Sequence, residues 1–320
     1  MADTNRTVGV GGDDVNITAW ETVVDGLGGD HTATLISDIV DNVYFSSWAA
    51  GTVTIKGNLT GNTKRKITSA ALGTDVLTPA SSSLSSFTLE DLHVDGSPMT
   101  AFRQTISLQH GLASCTIRRC TIEASPSMVH YCLEAHANAD YTTGTYENCI
   151  FIGATHQIVF TAIDYANAST FRNCIFTGAG SNQGYHANNS NVTVLYFNCV
   201  SFNNANSDFN PGGANTITNT TNCVSEGSTA ATGHDATSGS VEGKTLLSTY
   251  FRDEAGDFRL LQDDYDSWGI NGDSTNTPAL DYASVTRTND DIGPYEFRRG
   301  AAAGVGSGVG FSAAKKHTFW

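Results

Sequence analysis

Positive charge is scarce in this chain of 320 residues: Lys and Arg together number 17, of which only six are Lys, against 32 acidic side chains and a net charge of −15. Binding to a phosphate backbone requires clustered Lys and Arg, so nucleic acid is excluded as an expected partner. Between Cys120 and Phe251 the only fixed cations are Arg172 and Lys244, and an anionic polymer gains no attraction along that stretch. The densest internal basic run, Lys64-Arg65-Lys66, reads as solvated loop charge. Long apolar runs are also lacking. No window approaches the roughly 18 residues of a membrane span, and the start of the chain has neither the basic opening nor the apolar core of a secretory signal. The expectation is therefore a protein made and left in the cytoplasm. Its seven cysteines, an odd number, fit reduced, buried thiols better than a disulfide framework.

Long helices are excluded by the same scarcity of Lys, Glu and Leu. What is abundant is Thr (40), Asn (24) and Gly (32), together 96 of the 320 residues. Thr favours strands, while Asn and Gly favour turns. The expected fold class is all-β.

Self-similarity makes that class specific. Five segments align without gaps around a cysteine: Ile117-Arg-Arg-Cys120-Thr-Ile122, Tyr146-Glu-Asn-Cys149-Ile-Phe151, Phe171-Arg-Asn-Cys174-Ile-Phe176, Tyr196-Phe-Asn-Cys199-Val-Ser201 and Thr220-Thr-Asn-Cys223-Val-Ser225. The spacings between successive cysteines are near-constant, and Leu89-Glu-Asp-Leu92-His-Val94 fits the frame one coil earlier with Leu in place of Cys. Val53-Thr-Ile55-Lys-Gly57 reads as a still earlier rung.

Each place in the frame has a physical meaning. The Cys and the residue two later, such as Ile122, Phe151 or Phe176, share one strand face and point inward, while Thr121, Ile150 and Ile175 point outward. The residue three before the Cys is a second inward position. Asn148, Asn173, Asn198 and Asn222 recur directly before the Cys, where the chain turns. Asn tolerates the left-handed backbone of such a corner, and its amide is placed to bond the Asn of the next coil. A period near 25 is too short for a propeller blade and lacks the helices of tetratricopeptide or ankyrin repeats. It suits a coil of three short parallel strands, stacked at about 4.8 Å, with ladders of Cys (Cys120, Cys149, Cys174, Cys199, Cys223), Asn and aromatics.

On these segments the sequence resembles the right-handed parallel β-helix proteins, the architecture of pectin and pectate lyases and of many phage tailspikes and fibres. The expected fold is a single right-handed parallel β-helix solenoid with a short N-terminal capping helix and an extended C-terminal tail. Ile17, Trp20, Glu21 and Val24 lie at helical spacing behind an Asp/Asn-rich start, which places a plug over the open first rung. Gly256-Asp-Phe258-Arg-Leu260 and Asp291-Ile-Gly-Pro-Tyr295-Glu-Phe297 resemble the closing segment of many β-helix proteins. The expected divisions are residues 1–49 for the cap, 50–245 for the coils, 246–298 for the closing segment, and 299–320 for a linker and tail. The Ala/Gly run to Gly310 is expected to be a flexible or extended connector. Phe311, Lys315, Lys316, Phe319 and Trp320 behind it have the composition of an anchor that docks into a groove on a partner.

Chemistry is less legible. Asp140-Tyr141 and Asp164-Tyr165 lie one coil apart and so form the catalytic candidates: two stacked carboxylates would repel and raise the pKa of one. The plainer expectation is that both Asp residues begin turns. The cations that lyases use to hold uronates are missing beside them, as are the paired-Asp, His-Gly and Arg-x-Lys signatures of polygalacturonases. His130, Glu134 and His136 share a strand face but span too far for one tetrahedral ion, and Cys115 and Cys120 match no zinc spacing. Gly9-Val-Gly11-Gly12 lacks the Lys and preceding strand of a phosphate loop. No metal and no cofactor are expected. A β-helix with reduced thiols, no catalytic set and a gripping tail is expected to be a non-enzymatic virion protein, a capsid decoration, head fibre or tail fibre. Its expected partners are two further copies in a homotrimer, other capsid or tail proteins, and host surface polysaccharide. A polysaccharide lyase or hydrolase on the virion and a bacterial surface adhesin are the alternatives.

Overall fold

The computed structural model describes residues 3–45, 51–59, 63–71, 73–80, 84–100, 104–108, 112–125, 131–135, 143–160, 167–180, 186–187, 192–205, 208–209, 217–227, 238–244, 251–253, 257–260, 272, 274–287 and 291–294. They form a parallel β-helix. Its first sheet has nine strands in unbroken chain order: Thr4–Val8, His31–Leu35, Gly51–Gly57, Leu84–Glu90, Ser114–Arg118, Thr143–Glu147, Asn167–Arg172, Val192–Phe197 and Ile217–Thr221. The second has eight: Ile39–Val40, Arg65–Thr68, Leu92–Gly96, Thr121–Ala124, Ile150–Gly153, Ile175–Thr177, Val200–Phe202 and Val224–Ser225. The third has six: Val43–Phe45, Leu77–Pro79, Gln104–Leu108, Tyr131–Ala135, His156–Phe160 and His186–Ala187. All pairings within these sheets are parallel, in the register the cysteine frame requires: Ile117 lies beside Tyr146, Tyr146 beside Phe171, and Phe171 beside Tyr196.

The first complete turn, His31–Phe45, lies within the stretch assigned from sequence to the cap. Its strands are short and lack the Asn-Cys pair, so no repeat marks them. The cap itself is the helix Ile17–Val24, begun by Asn16, whose side chain accepts a bond from the Ala19 N–H at 2.8 Å. Ile17, Trp20 and Val24 face the core, and Trp20 meets the edge of Phe45 at 6.5 Å. That closes the apolar interior at the first rung.

Inside, like stacks on like. Tyr146, Phe171 and Tyr196 form a column with centroid separations of 4.4 and 5.1 Å, and Phe151 stacks on Phe176 at 5.1 Å. Cys120, Cys149, Cys174, Cys199 and Cys223 are fully buried, and the backbone N–H of Cys174 and Cys199 each point at the sulfur of the following coil, at 3.5 and 3.4 Å. Burial pushes the Cys115, Cys120, Cys132, Cys149, Cys174 and Cys199 thiols up from their ordinary range, which leaves no thiolate for exchange or attack. An aromatic disulfide reagent is therefore expected to find none of the seven buried free thiols in the native protein and all seven after denaturation. Fast labelling of even one native thiol would contradict that packing.

At the corner between first and second sheets the backbone turns left-handed in every coil from Asp91 onward: φ is 56° at Asp91, 54° at Arg119, 53° at Asn148 and Asn173, 54° at Asn198 and 49° at Asn222. The amides do more than bond one another. Asn198 donates to Asn173 Oδ1 at 3.4 Å, but Asn148 donates to Leu280 O at 2.6 Å, Asn173 to Asp291 O at 2.6 Å and Gly293 O at 3.0 Å, and Asn198 to Thr277 Oγ1 at 3.0 Å. Residues 277–287 and 291–293 thus lie along the side of the rod as a strap, doubled back through the Leu280–Thr286 bridge. Of the patches read as closing segments, Asp257–Leu260 pairs antiparallel with Phe251–Asp253, and Asp291–Pro294 belongs to the strap.

Candidate functional site

The outward face of the second sheet carries two in-register columns. One runs Lys66, His93, Thr121, Ile150, Ile175, Val200, Val224; the other runs Thr68, Asp95, Glu123, Ile152, Thr177. Ionisable side chains fill the first turns and aliphatic ones the later turns. The strap explains the division. Its Tyr282 and Ile292 cover Ile150, Ile175, Val200 and Val224, removing from water an apolar stripe that would otherwise be exposed.

The uncovered half is the candidate site. Lys66 Nζ lies 2.7 Å from Asp95 Oδ2, and His93 Nε2 lies 2.9 Å from Glu123 Oε2. The pairs cross diagonally between adjacent rungs, so Asp95 and Glu123 stand one strand spacing apart, each with its own nitrogen partner. Burial by itself would push the Asp95 carboxyl up. The hydrogen bonds from Lys66 and from the Ser97 hydroxyl and N–H (2.6 and 2.9 Å) outweigh it and hold the group below the usual carboxylate range. Asp95 is accordingly an anion that orients Lys66 rather than an acid that gives up a proton at neutral pH. Lys66, His93 and Glu123 remain partly exposed, a mixed-charge patch able to hydrogen-bond hydroxyl-rich ligands.

Next to the patch the strap's tip is locked down. Lys64 Nζ donates to Tyr282 O at 3.0 Å, sits 4.0 Å from the Tyr282 ring centroid and lies 3.4 Å from Asp91. Arg119 grips Asp91 through Nε and Nη2, both at 2.9 Å, and Ser284 donates to Asp91 at 2.9 Å. The Thr121 and Tyr282 hydroxyls are bonded, as are Arg118 and Glu90. The run Lys64-Arg65-Lys66 is therefore not solvated loop charge. Lys64 is buried against Tyr282 and Asp91, and Lys66 is paired with Asp95, because strand register sets these cations beside carboxylates one coil away. Desolvation lowers the Lys64 pKa.

The sequence candidates Asp140, Tyr141, Asp164 and Tyr165 lie outside the described residues, as do His130, His136, Phe311, Lys315, Lys316, Phe319 and Trp320. Glu134 is buried. Burial raises the Asp208 carboxyl, which accepts from Ser201, Asn204 and the Gly227 N–H at 2.6, 2.8 and 2.9 Å and braces a corner. Among the described residues no group of His, Cys, Asp and Glu is arranged to hold a metal ion, and no helix is long and apolar enough to cross a membrane. Sequence reading missed Lys66, His93, Asp95 and Glu123. Their signal is the frame itself, since they occupy the places one and three after the Cys position that are outward by alternation.

These features define a parallel β-helix protein with an ionisable patch on its outer face. Among solved structures, the crystal structure of pectate lyase Pel9A is similar to this chain, with 11% identity, a TM-score of 0.41, and coverage of 89% of this chain and 92% of that chain. No protein-family model matches the chain, and no curated protein matches it.

Proposed function

We propose that this chain is a structural component of a virion, a capsid decoration, head-fibre or tail-fibre protein whose β-helix is a stiff rod and whose tail docks on the particle. The observation that carries the reading is the unbroken order of stacked parallel strands around a filled interior, which makes the molecule a spacer rather than a container. Two features support it further. The buried thiols need no oxidising compartment, and the Lys66, His93, Asp95 and Glu123 patch gives a rod a place to touch host glycans. Assembly as a homotrimer belongs to the same reading. Deleting residues 300–320 is expected to abolish incorporation into particles while leaving the thermal transition of the rod unchanged; normal incorporation would remove the docking role.

A second reading, polysaccharide depolymerase, is favoured by one observation: a Lys, a His and two carboxylates on outward positions of adjacent coils. It predicts shortening of an acidic or neutral polysaccharide. Loss of a proton-transferring His93 in His93→Ala would slow the reaction roughly 100-fold or more, and Asp140→Ala or Asp164→Ala would do so if chemistry lies there instead. No shortening across a broad glycan panel is the result the structural reading expects.

A further inference from the structure

At the capped end of the rod, large apolar side chains face solvent: Val10 is 86% exposed, Val15 75%, Leu27 53% and Val23 47%. Single exposed apolar residues are ordinary, but four within eighteen residues, on the cap helix and the connections flanking it, favour a partner there. That end of the rod is also anionic. Within residues 1–30 the charged side chains are Asp3, Asp13, Asp14, Glu21, Asp25, Asp30 and one cation, Arg6, which is bonded to Asp14 at 2.7 Å. Glu21 and Asp25 lie one turn apart at the C-terminal end of the helix, which has no basic residue in its last turn. Like charges at that spacing repel, and the helix dipole there is itself negative. Burial and then the Asp25 charge push the Glu21 carboxyl up, so a cation placed there is favoured.

We propose that in the free protein this apolar, anionic surface binds the chain's own segment Phe311-Ser-Ala-Ala-Lys315-Lys316-His317-Thr-Phe319-Trp320. The segment has the complementary chemistry, three aromatic rings and two lysines with no carboxylate side chain. Reach allows it. Gly293 N donates to Asn198 O at 2.8 Å, beside the eighth strand of the first sheet. The first strand is seven spacings away, about 34 Å, and the sixteen residues 295–310 extend to about 55 Å. An intramolecular site sees its ligand at an effective concentration near millimolar, which outcompetes a second copy in dilute solution. This inference rests on the reading of Phe311–Trp320 as a docking segment and adds its regulation: binding to a particle requires the segment to leave the cap.

The test is disulfide trapping in the full chain carrying Val10→Cys and Thr318→Cys. The seven native thiols are buried and do not compete. Under mild oxidation an intramolecular 10–318 disulfide is expected to form at a rate independent of protein concentration. It is expected to be about tenfold slower with Glu21→Lys and Asp25→Lys, the scale of two reversed surface charge pairs. Val40→Cys, at a position 63% exposed, replaces Val10→Cys in the control. Trapping no faster than in that control, or disulfides forming chiefly between copies, would overturn the proposal. Failure of the cap contact with loss of particle incorporation on deleting residues 300–320 would overturn the latch and leave the docking reading intact.

Discussion

Phe171→Ala is expected to destabilise the rod by about 4 kcal/mol, the scale of a large-to-small change at a fully buried aromatic. Phe171 has no exposed surface and stacks on both Tyr146 and Tyr196, at 4.4 and 5.1 Å. It also meets Phe151 and Phe176 edge-on, at 6.1 and 5.6 Å. Removing it breaks the column in the middle, and the neighbours cannot close the gap because each ring is held at its own coil by strand register. In a solenoid each coil contacts chiefly its neighbours. The loss should therefore appear first as faster hydrogen exchange in Thr143–Glu147, Asn167–Arg172 and Val192–Phe197, with slower exchange retained in His31–Leu35 and Gly51–Gly57. Phe197→Ala is the control: that ring is partly exposed on the outer face, 5.9 Å from the Arg172 guanidinium, and its loss is expected to cost under about 1 kcal/mol. Equal costs in denaturant titrations would show that stacking in the column adds nothing beyond ordinary surface packing.

The interior was legible because a parallel coil repeats its own environment. Cys149 and Cys174 sit in the same surroundings one coil apart, so identical residues recur, and alternation then orients the rest. The first turn was not legible, because its strands Ile39–Val40 and Val43–Phe45 are short and it lacks the Asn-Cys pair that marks the later coils. The strap was invisible for a different reason. Asn148 and Leu280 are 132 residues apart, and nothing local to either marks the other. The corner Asn is legible as a turn former, which its φ explains, and as a partner for the Asn of the next coil, which Asn198 and Asn173 show, but the reach of its amide to the strap is long-range. The candidate site fell between these cases. Lys66, His93, Asp95 and Glu123 are each ordinary polar strand residues. Only the register that sets Lys66 beside His93 and Asp95 beside Glu123 makes them a patch.

Asp91 is where that register bears most on stability, and Asp91→Ala is expected to cost about 4 kcal/mol at neutral pH. The carboxylate is the shared partner of Arg119, Lys64 and Ser284. Its removal leaves Lys64 without its anion and Arg119 with Glu90 alone, at 3.5 Å, the costly way to break a buried ion pair at roughly 3–5 kcal/mol. Its φ of 56° adds strain in Ala that Asn tolerates, so Asp91→Asn should be the milder variant by about 1 kcal/mol. The pH dependence isolates the charge. Burial alone would push the Asp91 carboxyl up; the Arg119 hydrogen bonds, the Lys64 and Arg119 charges and the Ser284 hydroxyl reverse this and hold it below its ordinary value. A carboxyl lowered in the folded state contributes stability that is fully present above the unfolded value of about 3.9 and is lost as pH falls through the folded value. The stability gap between the native protein and Asp91→Asn, read from urea titrations, should therefore be constant near neutrality and shrink below about pH 4. Cleavage within 280–287 should accelerate in both variants, since the strap's tip loses its anchor. A gap that stays constant down to pH 3 would mean that the ionised carboxylate contributes nothing, and that only the shape of the corner holds the strap.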